Sequence, residues 1–442
     1  MSHVFHRHCH HLPPTIASGQ GVYLTDTQGK RYLDACGGAA VSCLGHNHPA
    51  VLEAIHHQLD AIPYAHTGFF TSESSEALAD MLTGLAPPSM NHAYLVSGGS
   101  EAMETALKLA RQYWVEVGEP QRQHFIARRQ SYHGNTLGAL SVGGNAWRRA
   151  PFAPLLMDTS LIAPCYAYRD QRADETGYEY GQRVANELEA MLLEKGPETV
   201  IGFVAEPVVG ATAGALIAEA GYFKRIREIC DQYNILLILD EVMCGTGRTG
   251  RFFAFEHESI VPDIVAIAKG LAAGYQPIGA TLVTDRLYEA IASGSGFFQH
   301  GHTFMAHPTA CAAALATLTT IQQEGLIDAA EEQGKTLKTL LHRQFDSHPF
   351  VGDIRGRGLF LALELVADKT SKRPFSSDLA LHQTIKQTAV HNGLMCYPMG
   401  GTIDGKHGHH VLLAPPYIIE APHIEAIVDK LALTFEMCLP CP

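Results

Sequence analysis

Between residues 92 and 268 the chain alternates short apolar runs with amphipathic segments. Apolar residues recur at helical spacing in segments 102–117, 181–194 and 221–233, which predicts three helices. Short apolar runs predict strands at 92–96, 124–128, 200–205, 235–239 and 264–267. Strands that alternate with helices indicate a mainly parallel sheet covered on both faces, and therefore an α/β fold.

The pattern changes on either side of this region. Residues 21–34 predict a hairpin with a turn at 26–29, followed by a small-residue segment (34–49), a helix opened by Pro49 and another helix at 72–85. Further helices are predicted at 308–324, 331–345, 379–391 and 422–433, with a strand at 358–366. We therefore predict three parts: 1–59 as an N-terminal arm with part of a small domain, 60–310 as a large α/β domain, and 311–442 as the C-terminal part of a small α+β domain.

The composition is that of an ordinary globular protein, with 442 residues, 46% hydrophobic and 17% charged. The formal net charge of −13 argues against a nucleic acid or an anionic membrane as the main partner. No apolar run approaches the roughly 20 residues that span a bilayer, and the first residues contain no stretch typical of a secretory signal. We expect a cytoplasmic protein with reduced thiols.

Two clusters of metal-binding residue types lie near the ends of the chain. They comprise His6, His8, Cys9, His10 and His11 in the N-terminal arm, and Cys438 and Cys441 at the C-terminal end. A flexible arm rarely holds four ligands in a fixed geometry, and the cysteine pair is expected to fall on a loose tail. We therefore predict no metal site.

In a doubly wound sheet, ligands bind beyond the carboxyl ends of the strands. Gly99 and Ser100 follow the strand predicted at 92–96, where a helix N-terminus would offer N–H groups, a hydroxyl and a positive dipole end to a phosphate. A plain helix cap with Glu101 in the first turn is an equally good interpretation. After the next strand, Tyr132 could place its ring against a planar ligand, or it could lie half-buried in a turn.

Two carboxylates and a lysine follow other predicted strands. Asp240 comes directly after an apolar run and is either an exposed strand end or a buried anion that needs a cation, such as a protonated pyridine nitrogen. Glu206 has the same place one strand earlier and could be a second polar contact to such a ring. Lys269 could form a Schiff base with an aldehyde if burial deprotonates its amine, and an exposed strand-end lysine is the alternative.

Residues 245–250 match the G-x-G-x-x-G pattern of dinucleotide-binding loops and follow a strand. In such a loop the last glycine opens an amphipathic helix, but three phenylalanines follow Gly250 within five residues and Pro262 ends the segment. Residues 240–244 also separate the strand from the first glycine. The sequence therefore does not favour NAD binding.

Seven short motifs, taken together, resemble those of the class III (ω-amino acid) aminotransferases, which are pyridoxal-phosphate enzymes of fold type I. The motifs occur in the family's order with similar spacing, and the resemblance runs from about Gly21 to the last helix. They are Ser97-Gly-Gly-Ser-Glu-Ala102, Tyr132-His-Gly134, Ala205-Glu-Pro207, Leu239-Asp-Glu-Val242, Gly247-Arg-Thr-Gly250, Ala268-Lys-Gly270 and His302-Thr303. The resemblance implies that the large domain binds the cofactor.

The resemblance also implies roles around the cofactor ring. Lys269 is expected to form a Schiff base with pyridoxal 5′-phosphate and then to move a proton, and Asp240 to pair with the pyridinium nitrogen. Tyr132 and Val242 are expected to lie on the two faces of the ring. Lys269 and Asp240 are the expected catalytic residues.

Other roles concern the phosphate and the assembly. Gly99 and Ser100 are expected to hold the phosphate, and Thr303 to reach the phosphate site of a neighbouring protomer. The resemblance therefore implies a homodimer or a dimer of dimers. With Glu206 as a further ring contact, these residues complete the predicted cofactor site.

The implied reaction is a ping-pong transfer from an amine or ω-amino acid donor to an oxo acid, with pyruvate expected and 2-oxoglutarate as the second choice. Glutamate-using members commonly carry a glutamate shortly after Glu-Pro that pairs with a mobile arginine, whereas this chain has Ala211 there and no arginine after Arg373. The candidates for binding an acceptor carboxylate are Lys406, His407, Arg355 and Arg357. Decarboxylation or amino-group migration on the same fold is the alternative reaction, because the sequence does not show which substrate bond lies perpendicular to the ring.

Two further departures from the family pattern concern the pocket. Met243 replaces a frequent glutamine that contacts the phenolic oxygen of the ring. Ala40 stands where amine-selective members often carry a tryptophan, which predicts a roomier pocket.

Overall fold

The computed structural model describes residues 2–10 and 12–440 of the chain, and the strands of this part form four sheets. The strands are β1 (Ile16–Gln20), β2 (Tyr23–Asp26), β3 (Arg31–Asp34), β4 (His92–Val96), β5 (His124–Arg128), β6 (Thr159–Ile162), β7 (Val200–Ala205), β8 (Val208–Val209), β9 (Leu216–Ile217), β10 (Leu236–Asp240), β11 (Ile264–Ala268), β12 (Gly279–Val283), β13 (Val351–Arg357), β14 (Phe360–Leu365), β15 (Leu394–Met395), β16 (Tyr397–Gly400) and β17 (His409–Leu413). All five strands predicted for the large domain are present, within one residue at each end.

The helices are α1 (Gly37–Ala40), α2 (Pro49–Ala61), α3 (Glu73–Leu85), α4 (Gly99–Glu116), α5 (Leu137–Val142), α6 (Ala146–Arg149), α7 (Ala167–Asp170), α8 (Gly177–Lys195), α9 (Tyr222–Gln232), α10 (Asp285–Ser293), α11 (Pro308–Gln323), α12 (Leu326–Phe345), α13 (Leu381–His391) and α14 (Ala421–Cys438). Within the described ranges, none of them combines the length and the hydropathy needed to cross a membrane.

The central sheet has seven strands in the order β4-β12-β11-β10-β7-β5-β6. β10 is parallel to β11 and β7, and β5 is parallel to β7 and β6, so the carboxyl ends of these five strands lie along one edge. β12 runs antiparallel to β11 and β4. The predicted α/β fold with a mostly parallel sheet is therefore confirmed, whereas the apolar pattern did not predict β6 or β12.

Helices cover both faces of this sheet, and β7, β10 and β11 are buried along their whole length. Alternate residues of β10 face opposite layers. Ile238 packs in the same apolar cluster as Trp114 of α4, whereas Leu237 and Leu239 pack with Phe223 of α9. Burial on both faces explains why the strand reads as a continuous apolar run.

Three helices, α4, α8 and α12, begin several residues earlier than their apolar periodicity predicts, and α12 begins at Leu326 rather than at residue 331. α8 begins after the N-cap Thr176, whose hydroxyl accepts a hydrogen bond from Glu179 N–H in a capping box. α4 begins at Gly99 rather than at residue 102, because its first turn consists of glycine, serine and glutamate and carries no apolar signal. The earlier start places two predicted phosphate-binding residues inside the first turn of a helix.

The N-terminal and C-terminal segments share a sheet of order β1-β2-β3-β15. β15 pairs in parallel with β3, with Leu394 opposite Leu33. A second sheet, of order β13-β14-β17-β16, is antiparallel throughout and packs against α12. The domain boundaries at residues 59 and 310 stay a prediction.

The C-terminal segment differs from its prediction. Cys438 is the last residue of α14 and packs against the main apolar cluster, so the expectation of a loose tail was wrong at this position. Cys441 and His11 lie outside the described residues. In the ranges 2–10 and 12–440, no group of three or more His, Cys, Asp or Glu side chains is arranged to hold a metal ion.

Candidate active site

Lys269 follows β11 and begins a short 3-10 turn, with a left-handed φ of 52° that is uncommon for a lysine. The strand delivers its side chain to a cavity at the carboxyl edge of the central sheet. Burial lowers the pKa of Lys269 to about 8, although the negative charge of Asp240 acts in the opposite direction. The amine therefore loses its proton more readily than that of an exposed lysine, and a neutral amine can act as a nucleophile or a base.

Asp240 is the last residue of β10, the strand next to β11. Its Oδ1 accepts a hydrogen bond from Val242 N–H (2.9 Å), and its Oδ2 accepts one from Nδ1–H of His133 (2.8 Å). Burial opposes the charged form of His133, but Glu206 and the bond to Asp240 outweigh it and raise the pKa of the imidazole. The carboxylate is thus held on both oxygens, one of them by a buried histidine.

Glu206 follows β7 and has two different surroundings at its two oxygens. Oε1 accepts a hydrogen bond from Tyr132 N–H (3.0 Å). Oε2 lies 3.6 Å from Nη2 of Arg128 and 3.9 Å from Nε2 of His133, and it accepts no hydrogen bond from a described residue. Burial raises the pKa of Glu206, while His133 and Arg128 act against that rise. A buried acceptor without a hydrogen-bond partner is expensive unless a ligand supplies one.

His133 and Arg128 are the two residues of this cluster that the sequence did not single out. His133 stands in the middle of the Tyr132-His-Gly134 motif, and that motif was the available signal. Arg128 ends β5, and its side chain is only 2% exposed. A buried arginine at a strand end cannot be distinguished from an exposed one by sequence alone, because its partners come from other strands.

The N-terminus of α4 is distant in sequence from the segments that follow β5 and β10, yet it packs directly against both. A Cβ atom on Gly99 would lie 2.7 Å from Cγ1 of Val242, and one on Gly134 would lie 2.6 Å from Oγ of Ser100. The N-cap is Gly98, which has no side chain to bind the first N–H groups of the helix. Glycines at these points let three strand ends meet and leave helix N–H groups available for an anion.

Both interpretations of residues 97–101 hold in part. Glu101 in the first turn accepts a hydrogen bond through Oε2 from Ser97 N–H (2.8 Å). Ser100 Oγ accepts one from Asn135 N–H (3.1 Å), which ties the helix start to the segment after β5. Ser97, Gly98, Gly99 and Ser100 still line the cavity.

The cavity has a volume of about 420 Å³. It brings together seven of the eight predicted site residues, which are Gly99, Ser100, Tyr132, Glu206, Asp240, Val242 and Lys269. Thr303 does not line it. Thr303 is exposed in the segment before α11, where its carbonyl oxygen accepts a hydrogen bond from the Tyr64 hydroxyl (3.0 Å).

The glycine-rich segment 245–250 is a series of turns and does not lead into a helix. Gly247 and Gly250 have φ values of 95° and 85°, and they pack against α12 at Ile327 and Glu331. The tight strand-to-helix turn of a dinucleotide site is therefore absent here, as the sequence indicated.

None of the four side chains predicted to bind an acceptor carboxylate lines the cavity. Lys406 and His407 are exposed on the loop after β16, where their N–H groups donate to the carboxylate of Asp404 (2.9 and 2.8 Å). The loop exposes both side chains to solvent and does not bring them to the cavity, so their role at a carboxylate stays a prediction.

The two arginines are held by carboxylates of their own. Nη1 of Arg355 lies 2.6 Å from Oε2 of Glu364 and 2.7 Å from Oδ2 of Asp353. Nη1 of Arg357 lies 2.9 Å from Oε1 of Glu258. Arg355 is thus paired within the C-terminal segment, and Arg357 is paired with a residue of the segment 60–310. Neither guanidinium lines the cavity, so a role at an acceptor carboxylate stays a prediction for both.

The wall of the cavity next to Lys269 is small and apolar. Ala211 and Met243 both line it. Val41 lines it as well, whereas Ala40 is 2% exposed and packs with Val208 behind the wall. Ala40 thus does not line the cavity, and the roomier pocket stays a prediction.

Comparison with known proteins places this geometry in a family. The family model described as aminotransferase class-III matches residues 4–435. An uncharacterized aminotransferase of Schizosaccharomyces pombe is 46% identical over 98% of this chain and 95% of its own length. The putrescine–pyruvate aminotransferase of Pseudomonas aeruginosa is 33% identical over 95% of this chain and 92% of its own length.

A solved structure gives the same result for the fold. The ω-transaminase of Pseudomonas jessenii in complex with PMP superposes with a TM-score of 0.91 and 34% identity, covering 97% of this chain and 94% of the other. The chain belongs to the class III aminotransferases and has the fold type I architecture.

Proposed function

We propose that the cavity binds pyridoxal 5′-phosphate and that the enzyme moves an amino group from an amine or ω-amino acid donor to an oxo acid, with pyruvate as the preferred acceptor. The observation that carries the proposal is the amine of Lys269, whose pKa is lowered by burial to about 8, beside an Asp240 carboxylate oriented by His133. The PMP complex of the Pseudomonas jessenii enzyme supports the choice of cofactor.

The residues of the cavity fit this cofactor on three counts. Side chains at Gly99 and Gly134 would close the approach to the N-terminus of α4, where a phosphate would lie. Oε2 of Glu206 and Nε2 of His133 are buried and have no hydrogen-bond partner among the described residues. The carboxylate of Asp240 is available for a ring cation. When bound, the cofactor supplies an aldehyde for amines and a ring that takes up electrons.

Each residue then has a task at a defined atom. Asp240 keeps the ring nitrogen protonated through its carboxylate, and His133 keeps that carboxylate in position. Nζ of Lys269 would accept a proton from the α-carbon of the substrate and return it to the former aldehyde carbon of the cofactor, on the far side of the shared nitrogen, which its lowered pKa favours. Tyr132 and Val242 orient the ring from the cavity walls.

The phosphate end requires two protomers in this proposal. N–H groups of Gly99 and Ser100, together with the Ser100 hydroxyl, bind the phosphate of their own chain. Thr303 is exposed and lies away from the cavity, which supports a role at the site of a second copy. The rings of Phe69 and Phe304 are 81% and 58% exposed, and burial of such rings favours a homodimer.

The choice of pyruvate rests on the neutral wall of the cavity. Ala211 lines it where a glutamate-arginine pair would be needed to receive a second carboxylate, so a dicarboxylic acceptor has less to bind than pyruvate. The Pseudomonas aeruginosa relative, a putrescine–pyruvate aminotransferase, supports the same choice.

We also propose that the enzyme works in the cytoplasm. All nine described cysteines are free, and those of the core are buried thiols. Free thiols in this number are typical of a reducing compartment.

A panel of amino donors with pyruvate or 2-oxoglutarate as acceptor tests the function. We expect alanine to form from pyruvate with at least one amine or ω-amino acid, and no turnover in Lys269→Ala. Release of CO₂, or an isomerised product formed without any oxo acid, would replace amino transfer by one of the two alternative reactions. A protein that binds no pyridoxal phosphate would contradict the whole proposal.

A further inference from the structure

The cavity contains few groups that could bind the carboxylate of an oxo acid. Lys269 and the buried His133 are the cationic residue types among its described lining, and both already have tasks in the proposed chemistry. Glu206 and Asp240 line it too and would repel an anion. A further cation next to this lining would favour the binding of an acceptor such as pyruvate.

Arg148, in α6, does not line the cavity itself but lies against a residue that does. Its Cζ is 4.5 Å from the centroid of the Tyr132 ring, and Tyr132 lines the cavity. Burial is the main cause of the lowered pKa of Lys269, and the charge of Arg148 adds to it. The same charge opposes the rise that burial causes in the pKa of Tyr132. The guanidinium is therefore within electrostatic range of both site residues.

Arg148 differs from the arginines around it in having no polar partner in the described part of the chain. Its Nε is buried and makes no hydrogen bond there, and its guanidinium contacts the rings of Tyr132 and Trp147. The adjacent Arg149 donates to three backbone carbonyls instead, and Nη1 of Arg248 donates to the carbonyl of Leu359 (3.2 Å). Only a guanidinium that is not already bound can take a carboxylate without losing a hydrogen bond.

A chain of hydrogen bonds holds the backbone of the segment that carries Arg148. The Arg148 N–H donates to Oδ1 of Asn145 (3.2 Å), and Nδ2 of Asn145 donates to Oε1 of Gln130 (3.2 Å). Nε2 of Gln130 in turn donates to the carbonyl of Gly401 (2.7 Å) in the loop of the small domain. Ring contacts on one side and this chain of hydrogen bonds on the other hold the arginine ready before a ligand arrives.

We infer that Arg148 is the residue that binds the carboxylate of the oxo-acid acceptor, and of an ω-amino acid donor in the first half-reaction. A planar guanidinium binds a carboxylate through two parallel hydrogen bonds, which a lysine does not reproduce. The inference rests on the proposed amino transfer and deepens it by making carboxylate-bearing acceptors the preferred class over aldehydes of the same size.

The test compares pyruvate with propanal, an acceptor of similar size without a carboxylate, in the holoenzyme with a donor amine that lacks a carboxylate. Arg148→Met should raise KM for pyruvate by about 10- to 100-fold, since that is the range for a hydrogen bond to a charged group. The kcat for pyruvate and both constants for propanal should stay within about twofold. The inhibition constant of propionate, measured with propanal as acceptor, should rise by the same factor as KM for pyruvate.

Two further variants serve as controls. Arg148→Lys keeps the charge and should recover part of the affinity. Arg7→Met removes an exposed charge of the N-terminal arm that also acts on Tyr132, and it should leave KM for pyruvate unchanged. Equal effects of Arg7→Met and Arg148→Met would indicate a general field and overturn the inference.

Unchanged KM for pyruvate in Arg148→Met, with the wild type active, would overturn the role of Arg148 alone. Equal losses with pyruvate and propanal would show a structural role and overturn it too. A wild-type enzyme that accepts neither compound from any donor would instead contradict the proposed function.

Discussion

Two opposing effects act on the amine of Lys269. Desolvation favours the neutral amine, and the negative charge of Asp240 favours the ammonium; desolvation prevails, with a resulting pKa of about 8. An amine with that pKa can be neutral when it attacks and charged when it returns a proton, near neutral pH. The surroundings of this one residue therefore suit it for both proposed tasks.

We expect the rate at which the apoenzyme combines with pyridoxal phosphate to rise between pH 7 and pH 9, with a midpoint near 8. The rate should rise with pH because the neutral amine is the reactive form. Asp240→Asn removes the charge that raises the lysine pKa, so its midpoint should fall below 8. Borohydride trapping of the cofactor at a series of pH values measures both.

Asp158→Asn is the matched control for this measurement, because the side chain of Asp158 is 91% exposed. Its midpoint should equal that of the wild type. A wild-type midpoint near 10 would show that the lysine is not desolvated and would contradict the assigned state.

At the scale of elements, the site depends on how closely strand ends and one helix N-terminus approach each other. Gly99 of α4 contacts the side chain of Val242, which follows β10, and Gly134 lies against Ser100. The amide of Val242 also binds the Asp240 carboxylate (2.9 Å). The proposed phosphate anchor, ring wall and ring-nitrogen partner are thus one packed unit, and a shift of α4 would disturb all three.

Gly99→Ala tests this packing, because the new methyl group would lie 2.7 Å from Cγ1 of Val242. We expect the Kd for pyridoxal phosphate to rise by about 10-fold or more, since Val242 or α4 must move. Fluorescence titration of the apoenzyme measures the Kd. Gly84→Ala in α3, where nothing lies within 4 Å of the added atom, should leave the Kd unchanged and raise the free energy of unfolding by about 0.5–1 kcal/mol. An unchanged Kd in Gly99→Ala would mean that the contact is not tight in solution.

At the scale of the whole molecule, segments distant in sequence complete one another. β15 pairs with β3, so the first strands of the chain and a strand near its end form one sheet. Nη1 of Arg248 donates to the carbonyl of Leu359, just before β14, and to that of Pro415, just after β17. The guanidinium also stacks on the ring of Tyr417. The C-terminal segment is therefore attached to the segment of the central sheet through buried polar contacts, and the bond from Gln130 to the carbonyl of Gly401 belongs to that attachment.

A mixture of two inactive variants tests whether a second protomer completes the site. Lys269→Ala lacks the amine, and Thr303→Ala is expected to lose activity at low cofactor concentration. In a mixed dimer the site with an intact Lys269 receives Thr303 from the other chain. Random mixing should therefore restore roughly a quarter of the wild-type activity.

The assay is run after unfolding and refolding the two variants together, at a pyridoxal phosphate concentration below the Kd of Thr303→Ala. Each variant refolded alone serves as the control. No gain in the mixture, or a monomer by light scattering, would contradict the proposed homodimer.

The sequence alone determined five of the seven strands of the central sheet, the family and the residues at the strand ends. Lys269 and Asp240 could be recognised because a charged residue directly after a continuous apolar run is a local pattern, and strand edges collect ligands. β12 was not predicted, since Gly279, Ala280 and Thr281 are small or polar and leave no apolar run in its five residues.

Only the tertiary structure decided which basic side chains are paired with a carboxylate and which are not. The sequence does not distinguish the surroundings of three basic residues. In the structure Arg355 is paired with Glu364, Arg148 lies over the Tyr132 ring, and Lys406 faces solvent. The physical reason is that the state of a charged side chain depends on its desolvation and on partners from distant segments, and neither is written in its neighbours along the chain.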